Sequence, residues 1–89
     1  MSTNLKIKVL FFAKARELLQ ISEASFELKS SLQSTQSLHQ ALEAKWPQLL
    51  QFKRTYALAL NEDYLDANQE NLQLNSRDIL AIIPPISGG

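Results

Sequence analysis

One helical apolar stripe limits the architectures open to this chain: Leu38, Ala41, Leu42, Trp46 and Leu49 recur at helical spacing in its middle, between strand-like runs. A lone stripe must be covered, and the flanking runs offer a sheet to cover it. Ser34, Thr35 and Ser37 each supply a capping oxygen ahead of it, and Ser37 with Gln40 matches the spacing of a capping box. Pro47 has no amide hydrogen and would clash with the preceding turn. The regular helix is therefore expected to end near Trp46, with residues 48–52 continuing as a separate turn.

The sheet is legible as alternation. Leu5, Ile7, Val9 and Phe11 alternate with Lys6, Lys8, Leu10 and Phe12, so a central strand is expected whose second face turns apolar toward its C-terminal end. Residues 13–19 are good helix formers and predict a short helical turn, followed by a second strand over about 24–29. Residues 56–60 read as a third strand, Asn61-Glu62-Asp63 as a turn and Tyr64-Leu65 as a short extension. After a turn at Asn75-Ser76-Arg77-Asp78, residues 79–83 form a continuous apolar run, consistent with a strand buried on both faces and ended by Pro84-Pro85. The order strand, strand, helix, strand, strand suggests an α+β, β-grasp arrangement: a mixed sheet with one main helix packed on one face. Other two-layer α+β arrangements could use the same elements.

A length of 89 residues suits one domain, expected over residues 1–85 with an extended tail at 86–89. Nine basic and nine acidic side chains cancel, so charge gives no reason to expect nucleic acid or anionic lipid as a partner. The apolar run at 9–13 is far shorter than a signal peptide or membrane span requires, and a cytoplasmic protein is expected. Without cysteine the chain has no disulfide or thiolate chemistry of its own. Its one histidine, His39, has no second ligand type nearby; no metal site is expected, and His39 reads as plain helix surface.

The remaining chemistry lies at the end. The chain holds two glycines, Gly88 and Gly89, and both are terminal, against an average usage of ~7% spread along ordinary chains. Lacking Cβ, they suit a channel too narrow for side chains, and Pro84-Pro85 restricts the direction in which the tail sets out.

Ile7-Lys8-Val9-Leu10-Phe11-Phe12-Ala13 followed by Arg16-Glu17-Leu18, the step Leu60-Asn61, and the ending Ile82-Ile83-Pro84-Pro85-Ile86-Ser87-Gly88-Gly89 together resemble the small, sulfur-carrying subunits of molybdopterin synthase, which are ubiquitin-like proteins. One departure is Arg77, which stands where that family commonly has glycine before the retained Asp78. It leaves the local turn geometry open.

The resemblance implies that the Gly89 carboxylate is first adenylated and then converted to a thiocarboxylate (a 1-thioglycine), which donates sulfur to cyclic pyranopterin monophosphate during molybdenum cofactor biosynthesis. It implies Gly88 and Ser87 as the threading tail, and a large catalytic subunit as partner in a 2:2 heterotetramer. A ubiquitin-activating-like adenylyltransferase that binds and uses ATP, and a sulfur donor, complete the system. The chain would be the sulfur-donating part of a sulfurtransferase, not catalytic alone and without a cofactor of its own. Phe12, Tyr64, Ile83 and Ile86 are candidate apolar contacts to the partner, with core packing an equal reading for Phe12 and Ile83; Arg16 is a candidate for an ion pair. Competing functions are sulfur carriage for thiamine or transfer-RNA thiolation, a ubiquitin-like modifier, and a non-catalytic β-grasp interaction module.

Overall fold

The computed structural model describes residues 4–85. Its elements run β1 (Leu5–Phe11), α1 (Ala13–Leu19), β2 (Glu23–Leu28), β3 (Leu32–Gln33), α2 (Thr35–Lys45), a 3-10 helix (Pro47–Phe52), β4 (Ala57–Leu60), β5 (Asp63–Tyr64), β6 (Leu72–Gln73) and β7 (Ile79–Ile83). Five strands make one mixed sheet in the order β2-β1-β7-β4-β5, while β3 and β6 pair separately. The central pair β1 and β7 is parallel and the other pairings in the large sheet are antiparallel. With α2 covering one face, this is the β-grasp fold.

Alternation in β1 decides which face is covered. Ile7, Val9 and Phe11 point toward α2 and are buried beside Phe26 and Leu28 of β2 and Leu80 and Ile82 of β7. From the other layer come Leu38, Leu42 and Leu49, all fully buried. Trp46, partly buried, sets its ring edge-on to Phe11 with centroids 4.9 Å apart and lies 5.4 Å from Phe26. Truncating a side chain such as Leu42 to alanine would cost about 2–5 kcal/mol, because the packed surroundings cannot fully close over the gap.

Helix ends follow local chemistry. Ser34, not Ser37, caps α2: its hydroxyl accepts from the Ser37 amide at 3.0 Å, and the Ser37 hydroxyl accepts from the Ser34 amide at 2.8 Å. Serine thus closes the box where glutamate or glutamine commonly does. Pro47 ends α2 as expected and opens the 3-10 helix. The sequence pattern missed the two-residue pair of β3 and β6, which are too short to show a period.

Two expectations need correction. His39 is not helix surface: it is 7% exposed, its ring set edge-on to Tyr56 at 4.6 Å. The same patch holds Glu43, which accepts from Arg54 at 2.9–3.1 Å and from the Tyr56 hydroxyl at 2.8 Å. Strand β7 is buried on one face only; Leu80 and Ile82 are enclosed, but Ile79, Ala81 and Ile83 lie on the uncovered side. Among the described residues, the continuous apolar run does not mark a strand covered on both faces.

Candidate functional site

The uncovered face of the sheet is divided by its sequence. On its β1–β2 side, Lys6 stands opposite Glu27 and Lys8 opposite Ser25, with Lys8 Nζ 3.8 Å from Glu23. Further along β1 the outward residues become Leu10 and Phe12, and the character changes from charged to apolar. Register then carries an apolar row across four strands: Leu10 pairs with Ala81, Ala81 with Ala59, and Ala59 with Tyr64.

A groove of about 420 Å³ lies over this row. Ala59 and Ala81 form its floor; their small side chains leave the backbone plane low. Leu10, Phe12, Ile79 and Ile83 rise beside them, and Asn61, Glu62 and Tyr64 close the far end. Phe12 is 43% exposed and Tyr64 68% exposed, so two large rings stand in water beside the aliphatic side chains, with polar Asn61 and Glu62 confined to one end. Exposed rings around an apolar floor are a composition common at protein contact surfaces.

The far end is held rigidly. Asn61 and Glu62 both adopt positive φ, 52° and 75°, giving the two-residue hairpin turn between β4 and β5. Asn61 then reaches back to β7: its amide donates to the Ile79 carbonyl at 2.8 Å, its side-chain oxygen accepts from the Ile79 amide at 2.9 Å, and its side-chain nitrogen donates to Asp78 at 2.9 Å. The other Asp78 oxygen accepts from the Asn75 amide at 2.9 Å, and the Arg77 amide donates to the Asn75 side chain at 3.0 Å. Arg77 is not among the residues with positive φ, so the departure from glycine is accommodated by a turn that never needs the left-handed region.

Phe12, Tyr64 and Ile83 therefore meet in one groove, and Phe12 is not a core residue. Arg16 is exposed on α1 and does not line the groove. Ile86, Ser87, Gly88 and Gly89 lie outside the described residues. Pro84 is buried at the end of β7 and Pro85 is exposed. Sequence reasoning missed the alanine floor and Ile79. The apolar turn of β1's outer face at Leu10 was their signal.

On the opposite layer, the His39 patch has the electrostatics of a structural lock. Burial raises the Glu43 pKa, but hydrogen bonds from Arg54 and Tyr56 outweigh it and hold the carboxyl below its ordinary value. Burial, aided by the Arg54 charge and opposed by Glu43, lowers the His39 pKa. Burial and the bond to Glu43 push the Tyr56 phenol up, so it stays a donor at physiological pH. His39 Nδ1 is buried without a hydrogen-bond partner. No group of three or more His, Cys, Asp or Glu suited to a metal ion occurs among the described residues, and no helix there is long and apolar enough to cross a membrane.

Comparison with known proteins places this geometry in context. The model of the ThiS family matches residues 9–89. The chain is 40% identical over 88 residues to the molybdopterin synthase sulfur carrier subunit of Arabidopsis thaliana, covering 99% of this chain and 88% of the relative. It is likewise 40% identical over 85 residues to the same-named protein of Chlamydomonas reinhardtii, covering 96% and 100%. Among solved structures, a putative molybdopterin converting factor subunit 1 from Pyrococcus furiosus superposes with a TM-score of 0.72 at 20% identity, over 92% of this chain and 99% of that one. A chain from the complex of subunits 1 and 2 of molybdopterin-converting factor from Helicobacter pylori gives 0.62 at 25% identity, over 96% and 100%.

Proposed function

This chain belongs to the ThiS family, and from that premise we propose that it is the sulfur-carrier subunit of a molybdopterin synthase, working in the cytoplasm. The observation that carries the reading is the coincidence of two features on one strand: β7 lines the uncovered apolar groove, and its end at Pro84-Pro85 leads directly to Gly88-Gly89. A partner seated on the groove would hold the root of the tail, and the tail would then have one direction in which to reach. Binding energy collected on Phe12, Tyr64 and Ile83 is used to position a reacting carboxyl several residues away.

The chemistry assigned to Gly89 follows from its carboxylate. A carboxylate resists nucleophilic attack because oxide is a poor leaving group. An ATP-using adenylyltransferase would join the carboxylate oxygen to AMP and release pyrophosphate; a donor supplying sulfur at the sulfide level would then displace AMP and leave a thiocarboxylate. Its sulfur would attack a carbon of cyclic pyranopterin monophosphate in the large subunit, an oxygen substituent leaving that carbon, and water would then attack the carbonyl carbon of the resulting thioester, returning the Gly89 carboxylate and leaving the sulfur on the product as a thiolate. ATP belongs to the activating partner, and this chain holds no cofactor in the scheme. Two sulfurs per product mean that spent carriers must be replaced, which suits a reversible interface in a 2:2 assembly. Ile86 would extend the apolar contact, Ser87 and Gly88 would thread, and Arg16 would contribute an ion pair at the margin.

Intact-mass analysis of the protein incubated with activating enzyme, ATP and sulfur donor tests the reading. The expected product has one terminal oxygen of Gly89 replaced by sulfur and supports molybdopterin formation when the large subunit is added. Persistence of the unmodified carboxylate with all components competent would overturn it, as would accumulation of isopeptide conjugates to lysine in place of the thiocarboxylate.

A further inference from the structure

The groove over β7 is not the sheet's only open surface. Strand β2 forms one edge of the five-stranded sheet and pairs with β1 alone among the described residues. The Phe11 amide donates to the Ser22 carbonyl at 2.9 Å, and Phe11 stands next in register after the pair Leu10 and Glu23. Alternation in an antiparallel ladder then turns the backbone groups of Ala24, Phe26 and Leu28 toward β1. Those of Glu23, Ser25 and Glu27 face the open edge.

Beside that edge runs a second groove, about 450 Å³, between β2 and α2. Phe26, Leu28, Ala41 and Ala44 give it an apolar lining, with Lys29 and Lys45 at its margin. It lies on the α2 side of the sheet, away from the surface assigned above to the large subunit. On the outer side of the same strand, Glu23 and Glu27 are exposed. A chain laid along the edge would meet the mainly apolar groove on one side and, on the other, Glu23 and Glu27, with Lys6 and Lys8 one strand further in.

We propose that this edge is a second docking site, which takes an extended partner segment as a sixth strand, its residues alternating apolar and basic. Backbone donors and acceptors of Glu23, Ser25 and Glu27 would pair with the segment's main chain, its apolar residues would enter the β2–α2 groove, and its lysines or arginines would stand beside Glu23 and Glu27. The lysines of β1 do not exhaust these carboxylates: the Lys8–Glu23 pair, at 3.8 Å and more than half exposed on both sides, is screened by water, and Lys6, opposite Glu27 in register, does not come within 4 Å of its carboxylate. A second copy of this chain fits poorly. Antiparallel self-pairing about Ser25 would set Glu23 of each copy directly opposite Glu27 of the other, two like-charge contacts. The acids that deter self-association are those that select a basic strand.

The test uses the isotopically labelled full chain and a blocked peptide alternating lysine and valine, about six residues long to match an ordinary strand. Amide shifts and slowed hydrogen exchange are expected at Glu23, Ser25 and Glu27, with weaker binding of a peptide alternating glutamate and valine. Ser25→Pro deletes an outward N–H at an edge position where proline is tolerated, and should weaken binding about tenfold. Ala44→Arg, at an exposed position in a good helix-forming context, should weaken it comparably by filling the groove with a cation, and keeps the test decisive if the proline variant misfolds. Sulfur transfer by Ala44→Arg should match the parent. Absence of shifts, shifts confined to Leu10, Ala81 and Tyr64, equal binding of acidic and basic peptides, or peptide-independent dimerisation through β2 would each overturn the proposal.

Discussion

Replacing Tyr64 by alanine should separate docking from folding and from chemistry. Tyr64 sits on the short edge strand β5 with 68% of its surface open, so the domain depends little on it. A tyrosine ring buries on the order of 200 Å² when fully enclosed, which leaves roughly 130–140 Å² for a partner to cover. At ~25 cal/mol per Å² that is about 3 kcal/mol as an upper bound, and about 2 kcal/mol if the hydroxyl end stays wet at the rim. A loss of about 2 kcal/mol corresponds to roughly 30-fold in Kd. Titration calorimetry against the large subunit should show that loss, and the carrier concentration needed for half-maximal molybdopterin formation should rise in proportion while the rate at saturation is unchanged. Leu50→Ala is the control: Leu50 is 58% exposed but lies on the 3-10 helix outside the groove, and its removal should leave Kd unchanged. If Tyr64→Ala binds within threefold of the parent, or Leu50→Ala weakens binding equally, the groove is not the docking surface.

Asn61→Gly keeps the positive φ of the hairpin turn but deletes the side-chain bonds to Ile79 and Asp78; about 1–3 kcal/mol of stability should be lost in urea unfolding, and an unchanged midpoint would deny the clamp. Acid should destabilise the fold in two steps. The His39 pKa is lowered in the folded state, so the unfolded chain takes up its proton first and stability falls below the ordinary histidine value of 6.5; Glu43, also lowered, contributes stability that is lost as pH drops through and below its ordinary 4.5. His39→Phe should abolish the first step in melts between pH 7 and 5, and an identical profile would show that His39 does not titrate there. Gly88→Val should fold normally by circular dichroism yet fail in thiocarboxylate formation or transfer; full turnover would refute the narrow passage. One alanine added after Gly89 moves the reacting carboxyl by ~3.5 Å, and product formation at the parent rate would show that its position is not critical.

Much of this protein was legible along the chain because its signals are local and periodic. The stripe from Leu38 to Leu49, the stop at Pro47 and the alternation in β1 each follow from backbone geometry within a few residues. The terminal diglycine needs no folding to be recognised, since its chemistry resides in a carboxyl and two missing side chains. Phe12, Tyr64 and Ile83 were singled out as apolar residues near element ends, but their meeting in one groove depends on β7 inserting beside β1 and pairing with β4. That juxtaposition is set by long-range register, which no local period encodes.

His39 shows the same limit from the other direction. His39 lies beside the stripe of Leu38 and Leu42, not on it, and its burial depends on Tyr56 and Arg54, which arrive from beyond the 3-10 helix to enclose it and bond Glu43. The apolar run of β7 reads as buried on both sides because hydrophobicity records the need for cover without recording what supplies it. Sequence alone determined the longer elements, the tail's chemistry and the kinds of side chain available. Tertiary structure decided which of them share a surface, because contacts between residues distant along the chain are fixed by strand order and packing, and those exist only once the domain has folded.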